Sequence, residues 1–330
     1  MTRPDLPSGR GAAGPDAPPS TPDLDVDLLD ARPQVARTLV RGVATGFGRP
    51  GASGSLPARR VVLPGVEQDV ERLAGFCAVT GGILADTLPT TWVHVLTFPL
   101  QVRLMASRDF PFPMMGMVHV ANEMTLHRPV RVGETLTLSS WAEALAPHRK
   151  GSTVDLVGEA RVGEDVVWSG RSTYLVRGAR PQGDVPADRE PGAATGDSRQ
   201  PGGAPQVEDG MRVTGHGPQL GVWRLPADLG RSYARVAGDV NPIHLSALSA
   251  KALGFPRAIA HGMWTHARAL AAVQDRLPQA YTVSAQFLKP VLLPSTVVLR
   301  GAMSRRGGEL SVTSRDGSKE HLSMQVTALP

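Results

Sequence analysis

A single cysteine, Cys77, stands in a chain of 330 residues, so an internal disulfide framework is excluded and a reducing compartment, the cytoplasm, is expected. It lies in the apolar run LAGFCAV with no basic neighbour to lower its pKa, which predicts a buried, inert thiol rather than a nucleophile. No stretch approaches the roughly 18 continuous apolar residues of a membrane span, and the opening MTRPDLPSGRGAAGPDAPPSTPDLD lacks the apolar centre of a secretory signal. Neither a membrane nor secretion is therefore expected. The formal net charge is +5, but the cations are mostly arginines scattered among nearly as many acids. With no basic stripe and no arginine–aromatic run, nucleic acid is not expected as a partner; such a surface is mildly attractive to phosphates.

Two stretches have little to bury. Residues 1–35 are rich in Pro, Gly, Ala and Asp and read as a disordered tail; residues 178–210 show no apolar period and read as a linker. They leave two folded portions, 36–177 and 211–330, each of domain size.

The portions look like copies. LHRPVRVGETLTL from Leu126 aligns with FLKPVLLPSTVVL from Phe287, setting Pro129 on Pro290 and Thr135 on Thr296. After it each copy alternates as strands do, over Ser152–Val162 and Val166–Val176, then over Glu309–Arg315 and His321–Ala328, with Asp316-Gly317 as a hairpin signal. One helix followed by a strand meander, twice over, is an α+β repeat.

Only the second copy carries an obvious chemical constellation. Gly238 to His244 reads GDVNPIH, and Asn241-Pro242 forces a turn that can converge the Asp239 carboxylate and the His244 imidazole on one small ligand such as water. Either group could take or return a proton. The plainer reading makes Asp239 a helix cap and His244 an ordinary first-turn residue. Where the second copy has this string, the first has approximately TGGILAD from Thr80, without an Asp and His at that spacing; His94 and Asp86 are its nearest candidates, and the first copy is expected to be silent.

Extended on both sides, the motif runs YARVAGDVNPIHLSALSA and then GFPRAIAHGMWTHARAL. Tyr233, Gly238, Asp239, Asn241, Pro242, His244 and Ala250 fit the pattern of the MaoC-like, or R-specific enoyl-CoA hydratase, family, and the chain resembles the two-domain bacterial MaoC-like dehydratases; Ala237 departs, since the family often has a small polar residue there. The resemblance implies a double hot-dog fold, two central helices each wrapped by an antiparallel sheet, forming an intrachain pseudo-dimer; pairing of two such chains stays open. It implies an acyl thioester of coenzyme A or acyl carrier protein as substrate, Asp239 and His244 as the water-holding pair, Gly262 as the carbonyl-binding amide, and no cofactor. The reaction implied is reversible hydration of a trans-2-enoyl thioester to the (3R)-3-hydroxyacyl thioester; a non-catalytic acyl-thioester-binding partner subunit and a hot-dog thioesterase are the alternatives.

The chemistry bears on these residues directly. Adding water to a 2-enoyl thioester puts negative charge on the thioester oxygen, which requires donors aimed there. Gly262 precedes a helical period of Met263, Ala267, Leu270, Val273 and Leu277, so its amide lies at a helix start that a ligand can approach closely. Asn241 either orients Asp239 or the water, or serves only the turn. His261 and His266 flank Gly262, but no cysteine or acidic cluster backs them and the reaction needs no metal, so none is expected; His261 reads as a helix-entry packing residue and His266 as a satisfied helix histidine. RDFPFPMMGMVHV, residues 108–120, either lines an acyl tunnel or packs between helix and sheet. Arg257 and Lys289 either reach carrier phosphates or solvate the surface.

Overall fold

The computed structural model describes residues 24–38, 49, 51, 54–114, 116–179 and 217–330. The first copy runs β1 (Asp25–Leu28), β2 (Arg59–Val66), α1 (Val70–Thr80), α2 (Thr90–Ala106), β3 (Met117–Leu126), β4 (Leu136–His148), β5 (Gly151–Val162) and β6 (Asp165–Arg177). The second runs β7 (Gln219–Leu225), α3 (Leu229–Ala237), the short α4 (Pro242–Leu245) and α5 (Ala247–Ala252), α6 (Gly262–Ala271), β8 (Tyr281–Phe287), β9 (Ser295–Ser304), β10 (Gly307–Ser314) and β11 (Glu320–Ala328). β3 and β8 end at Leu126 and Phe287, the two residues the repeat alignment sets together.

All eleven strands join one sheet in the order β1-β2-β4-β5-β6-β3-β8-β11-β10-β9-β7. Leaving out β1, the order on one side of the β3–β8 seam mirrors that on the other, so each copy contributes five equivalent strands and the pair meets edge to edge. The seam is antiparallel from Ala121↔Gln286 to Leu126↔Tyr281. Ser284 donates to Glu123 at 2.8 Å and the Thr125 and Thr282 hydroxyls meet at 2.9 Å, so polar cross-strand pairs pin the register on the outer face. Joining the β3 and β8 edges buries two edges that would otherwise invite aggregation. The expected double hot-dog is the architecture seen.

The sheet wraps the two central helices. In α2 every residue but Phe98 and Arg103 is buried, which is why its sequence has no polar face. One apolar cluster runs through both copies and includes Trp92, Leu100, Trp168, Trp264, Leu299 and Leu310; each fully buried leucine in it contributes roughly 1.5–3 kcal/mol. Among the described residues no helix is long and apolar enough to cross a membrane.

Two expectations need correction. The tail does not extend unstructured to residue 35: Asp25–Leu28 pairs in parallel with Arg59–Val62, Leu29 N–H donates to Val62 at 2.8 Å, and Asp27 is bridged to Arg103 at 2.9 Å. A strand so short and acidic carries too little apolar signal to be read from its sequence. Residues 1–23 of the tail and 180–216, which hold nearly all of the linker, lie outside the described residues. The helix expected through Leu277 stops at Ala271 and is followed by a 3-10 turn, Gln274–Arg276; Leu277 precedes Pro278, which disfavours helical geometry there. Of the two readings of the segment after Arg108, residues 108–114 fit the packed connection. Phe110, Phe112 and Met114 are buried in a second cluster with Val102 and Met105, and the Arg49 guanidinium donates to the carbonyls of Met105, Phe110 and Phe112 at 3.0, 3.0 and 2.8 Å.

Candidate active site

The GDVNPIH segment is held by its own backbone chemistry. Gly238 caps α3 in the left-handed region (φ 82°), its amide bonded to Ala234 at 2.8 Å, and the chain turns sharply away. Asp239 Oδ1 accepts from the Asn241 amide at 3.1 Å, and Asn241 Oδ1 accepts from the Ile243 amide at 3.3 Å, with Pro242 opening α4. The Asn241 side chain is thus engaged as a helix cap, and half the Asp239 carboxylate serves the turn.

His244 is placed by two contacts. Its Nδ1–H donates to the Ile259 carbonyl at 2.8 Å, which fixes the tautomer and leaves Nε2 as a free acceptor. Its own carbonyl presses against Gly230 of α3: a Cβ on Gly230 would lie 1.9 Å from that oxygen, so only glycine lets α3 approach α4 this closely.

His261 joins the pair. It is the N-cap residue of α6 but makes no capping bond. Instead its Nε2–H donates to the Asp239 backbone carbonyl at 2.9 Å, with the carboxylate 3.7 Å away, and its ring stacks on His244 at 3.6 Å between centroids. The shorter backbone bond is the one that holds. His261 therefore clamps Asp239 to the helix entrance, a role invisible at sequence level because it depends on a carbonyl and a ring stack, neither of which leaves a residue-type signature.

Because the His261 side chain does not cap α6, the first amides of that helix, Gly262 included, receive no capping bond from it. They carry the positive end of the helix dipole. A Cβ on Gly262 would lie 2.9 Å from the Phe287 ring, so the glycine also lets that ring close over the helix start.

Burial pushes the His244 pKa down to about 3, and the neighbouring His261 ring adds to the effect; the Asp239 charge and the Ile259 bond offset it only in part. His261 is lowered for the same first reason. Both rings are neutral at pH 7. Burial also lowers His94 and His266, to about 4 and about 3. Each of these rings binds a proton more readily unfolded, near the ordinary 6.5, than folded, so the unfolded state gains protons as pH falls through that value and stability falls with it. The melting temperature is expected to hold above pH 7 and to drop steeply from pH 6.5 towards 4; scanning calorimetry across that window checks it, and a flat profile would contradict the burial of these rings.

The donor atoms of Asp239, His244 and His261 lie within 4.8 Å of one another, the spacing of a metal site. His261 Nε2 and His244 Nδ1 are nevertheless committed to backbone carbonyls. That leaves His244 Nε2, the buried and unpartnered His261 Nδ1 and one carboxylate oxygen, of which the His244 nitrogen and the carboxylate suit a water.

Among the described residues the first copy has no equivalent cluster. Gly81 caps α1 in the left-handed region as Gly238 caps α3. Trp264 and Arg268 of α6 donate to the Val79 and Thr80 carbonyls at the end of α1, at 2.8 and 3.1 Å, and beyond Gly81 the Gln274 side chain accepts from the Ile83 amide at 3.2 Å, so the corresponding loop is held against α6 and the turn that follows it. Both central helices place tryptophan third and histidine fifth, which equates Trp92 with Trp264, His94 with His266, and Thr90 with Gly262. Asp86 is an exposed partner of Arg131 at 2.6 Å. His94 is buried on α2, and the charge of Asp239 reaches it.

The remaining expectations resolve simply. Arg257 and Lys289 are exposed, and Cys77 is buried with its thiol pKa raised. His266 is not satisfied: it is fully buried and neither ring nitrogen has a partner among the described residues. Beside Gly238 and Val240 opens a crevice of about 410 Å³ that Arg32, Arg72 and Arg235 also line.

The profile described as MaoC like domain matches residues 198–322. 3-hydroxyacyl-thioester dehydratase X of Mycobacterium tuberculosis is 34% identical over 298 residues, which span 90% of this chain and 99% of that protein. The crystal structure of HtdX from the same organism superposes with a TM-score of 0.67, covering 82% of this chain and 100% of that one. A MaoC-like dehydratase from Phytophthora capsici, 16% identical, superposes at 0.61 over 87% of this chain and 97% of its own.

Proposed function

This chain belongs to the MaoC-like dehydratase family, and from that premise we propose that it is a hydro-lyase that interconverts trans-2-enoyl and (3R)-3-hydroxyacyl thioesters, with the chemistry in the 211–330 portion and the 36–177 portion completing the pocket. The observation that carries the reading is the gathering of an Asp239 carboxylate oxygen and a ring nitrogen of a neutral His244 within 4.8 Å of each other at the uncapped start of α6, with His244 Nδ1 already committed to Ile259.

The geometry performs the reaction as follows. A water donates one hydrogen to His244 Nε2 and the other to Asp239, which orients its oxygen lone pair towards the β-carbon. As the C–O bond forms, one of the two groups takes one water proton and delivers that same proton to the α-carbon, while the other water hydrogen stays on the oxygen as the new hydroxyl, held by the second group. Charge that develops on the thioester oxygen meets the Gly262 amide and the α6 dipole. Because burial disfavours an imidazolium at His244, a proton taken there is passed on readily. Dehydration runs the same steps in reverse.

Arg32, Arg72 and Arg235 make no ion pair among the described residues. Their crevice beside the motif supports a carrier that bears phosphate, which coenzyme A and acyl carrier protein share. A single buried thiol fits action in the cytoplasm. Incubation with a 2-enoyl-CoA, followed both at the conjugated double bond and with a thiol reagent, tests the reading. Loss of conjugation without thiol release is expected; thiol release would make the protein a thioesterase, and silence on both would leave it a binding subunit.

A further inference from the structure

A second set of polar side chains is buried beside the site and takes no part in the steps above. His119 of β3 lies opposite Tyr174 of β6, and a bulge between His119 and Ala121 shifts the strand alternation by one, turning the His119 ring to the helix-facing side with Asn122 and Met124. There it stacks on Tyr174 at 4.7 Å, meets Phe287 at 4.9 Å, and faces His94 of α2 at 6.3 Å. Phe287 is the ring that closes over Gly262. A single aromatic ring therefore separates the oxyanion glycine from this cluster, which stands at the seam between the two copies.

The cluster is unsatisfied. His94 Nδ1, His119 Nε2 and both nitrogens of His266 are buried without a partner among the described residues. Each such atom forfeits the hydrogen bonds it would make in water, and phenylalanine or leucine would fill the same space without that loss. Buried orphans of this kind call for a ligand or an ordered water.

We propose that His119, His94 and Tyr174 form a subsite for a neutral oxygen function, a hydroxyl or a carbonyl, carried on the acyl chain beyond the reacting carbons. This rests on the hydratase reading and deepens it by naming the substrate class: oxygenated acyl thioesters over plain alkyl ones. One His119 nitrogen is bonded to the Ala121 backbone, which leaves Nε2 of that ring and Nδ1 of His94 to meet a ligand, and a neutral hydroxyl or carbonyl oxygen group matches neutral ring nitrogens. A carboxylate would need a protonated ring, and burial together with the mutual repulsion of His94, His119 and His266 opposes that. The group belongs to the acyl chain because the carrier is too large and too charged to enter the buried seam, and its cationic crevice opens beside Gly238 instead.

The test compares 2-hexenoyl-CoA with its 4-, 5- and 6-hydroxy derivatives in the wild-type protein, in His119→Phe and in Tyr174→Phe. At least one hydroxylated chain is expected to exceed the plain chain in kcat/KM by about tenfold or more, as a buried polar site discriminates against an analogue lacking its partner. Either substitution is expected to collapse that ratio. A plain chain equal or preferred in the wild type would overturn the subsite. So would a change of the same factor for all four thioesters, which would assign the rings to the carrier arm or to packing alone. The ratio is read a second time as Kd on the Asp239→Asn variant, so that absence of any hydration, which defeats the hydratase reading, is distinguished from absence of discrimination.

Discussion

Asp239→Asn and His244→Ala are each expected to lower turnover of a 2-enoyl thioester by at least about a hundredfold, the usual scale for a general acid or base. The asparagine keeps an oxygen to accept from the Asn241 amide, so the turn that shapes the segment survives and only the proton-carrying group is lost. Alanine at 244 removes Nε2 together with the bond to Ile259 and the stack on His261. Because the two groups act on one water, the double variant is expected to be no slower than the slower single one, since groups that work as a unit are non-additive. Steady-state rates, with circular dichroism to check folding, decide it. Near-normal turnover in either single variant would remove that residue from the mechanism, and losses that multiply in the double variant would mean separate roles.

Gly230→Ala is expected to damage both stability and rate from a position that touches no substrate. The new methyl would lie 1.9 Å from the His244 carbonyl, a backbone atom that cannot swing aside, so α3 and α4 must separate. Overpacking of this kind costs about 1–3 kcal/mol. The displacement carries His244 away from Ile259 and from Asp239, and misplacement by about an ångström is enough for roughly a hundredfold in rate. A thermal melt and a turnover measurement on the same preparation check the pair of effects. A variant as stable and as fast as the wild type would show that the α3–α4 contact does not position His244.

What the amino-acid string discloses here follows from how locally each feature is encoded. Asp239, Asn241, Pro242 and His244 sit within one turn and enforce its bend between them, so motif and geometry are legible together. Burial alternates along Leu322–Thr327 of β11 because one face of the sheet wraps a helix. The repeat is harder to follow through the helices. The second copy inserts α4 and α5 before its central helix, whereas the first inserts its FPFP connection after it, so no constant offset aligns both the helices and the strands. The shared tryptophan and histidine of α2 and α6 would have exposed the equivalence. His261 escapes for a different reason: its partners are a carbonyl and a ring brought in by folding, and composition carries no trace of either. His266 reads as an ordinary helix histidine until its lack of any partner is seen.

The central claim is that one water, held between Asp239 and His244 beside the Gly262 amide, adds to the double bond of an acyl thioester. Turnover of a 2-enoyl-CoA in water enriched in oxygen-18, with the product weighed by mass spectrometry, tests it most directly. One heavy oxygen on the β-carbon of an intact thioester is the result predicted, abolished in Asp239→Asn. Label found instead in a released carboxylic acid, or an unlabelled and unchanged thioester, would contradict it.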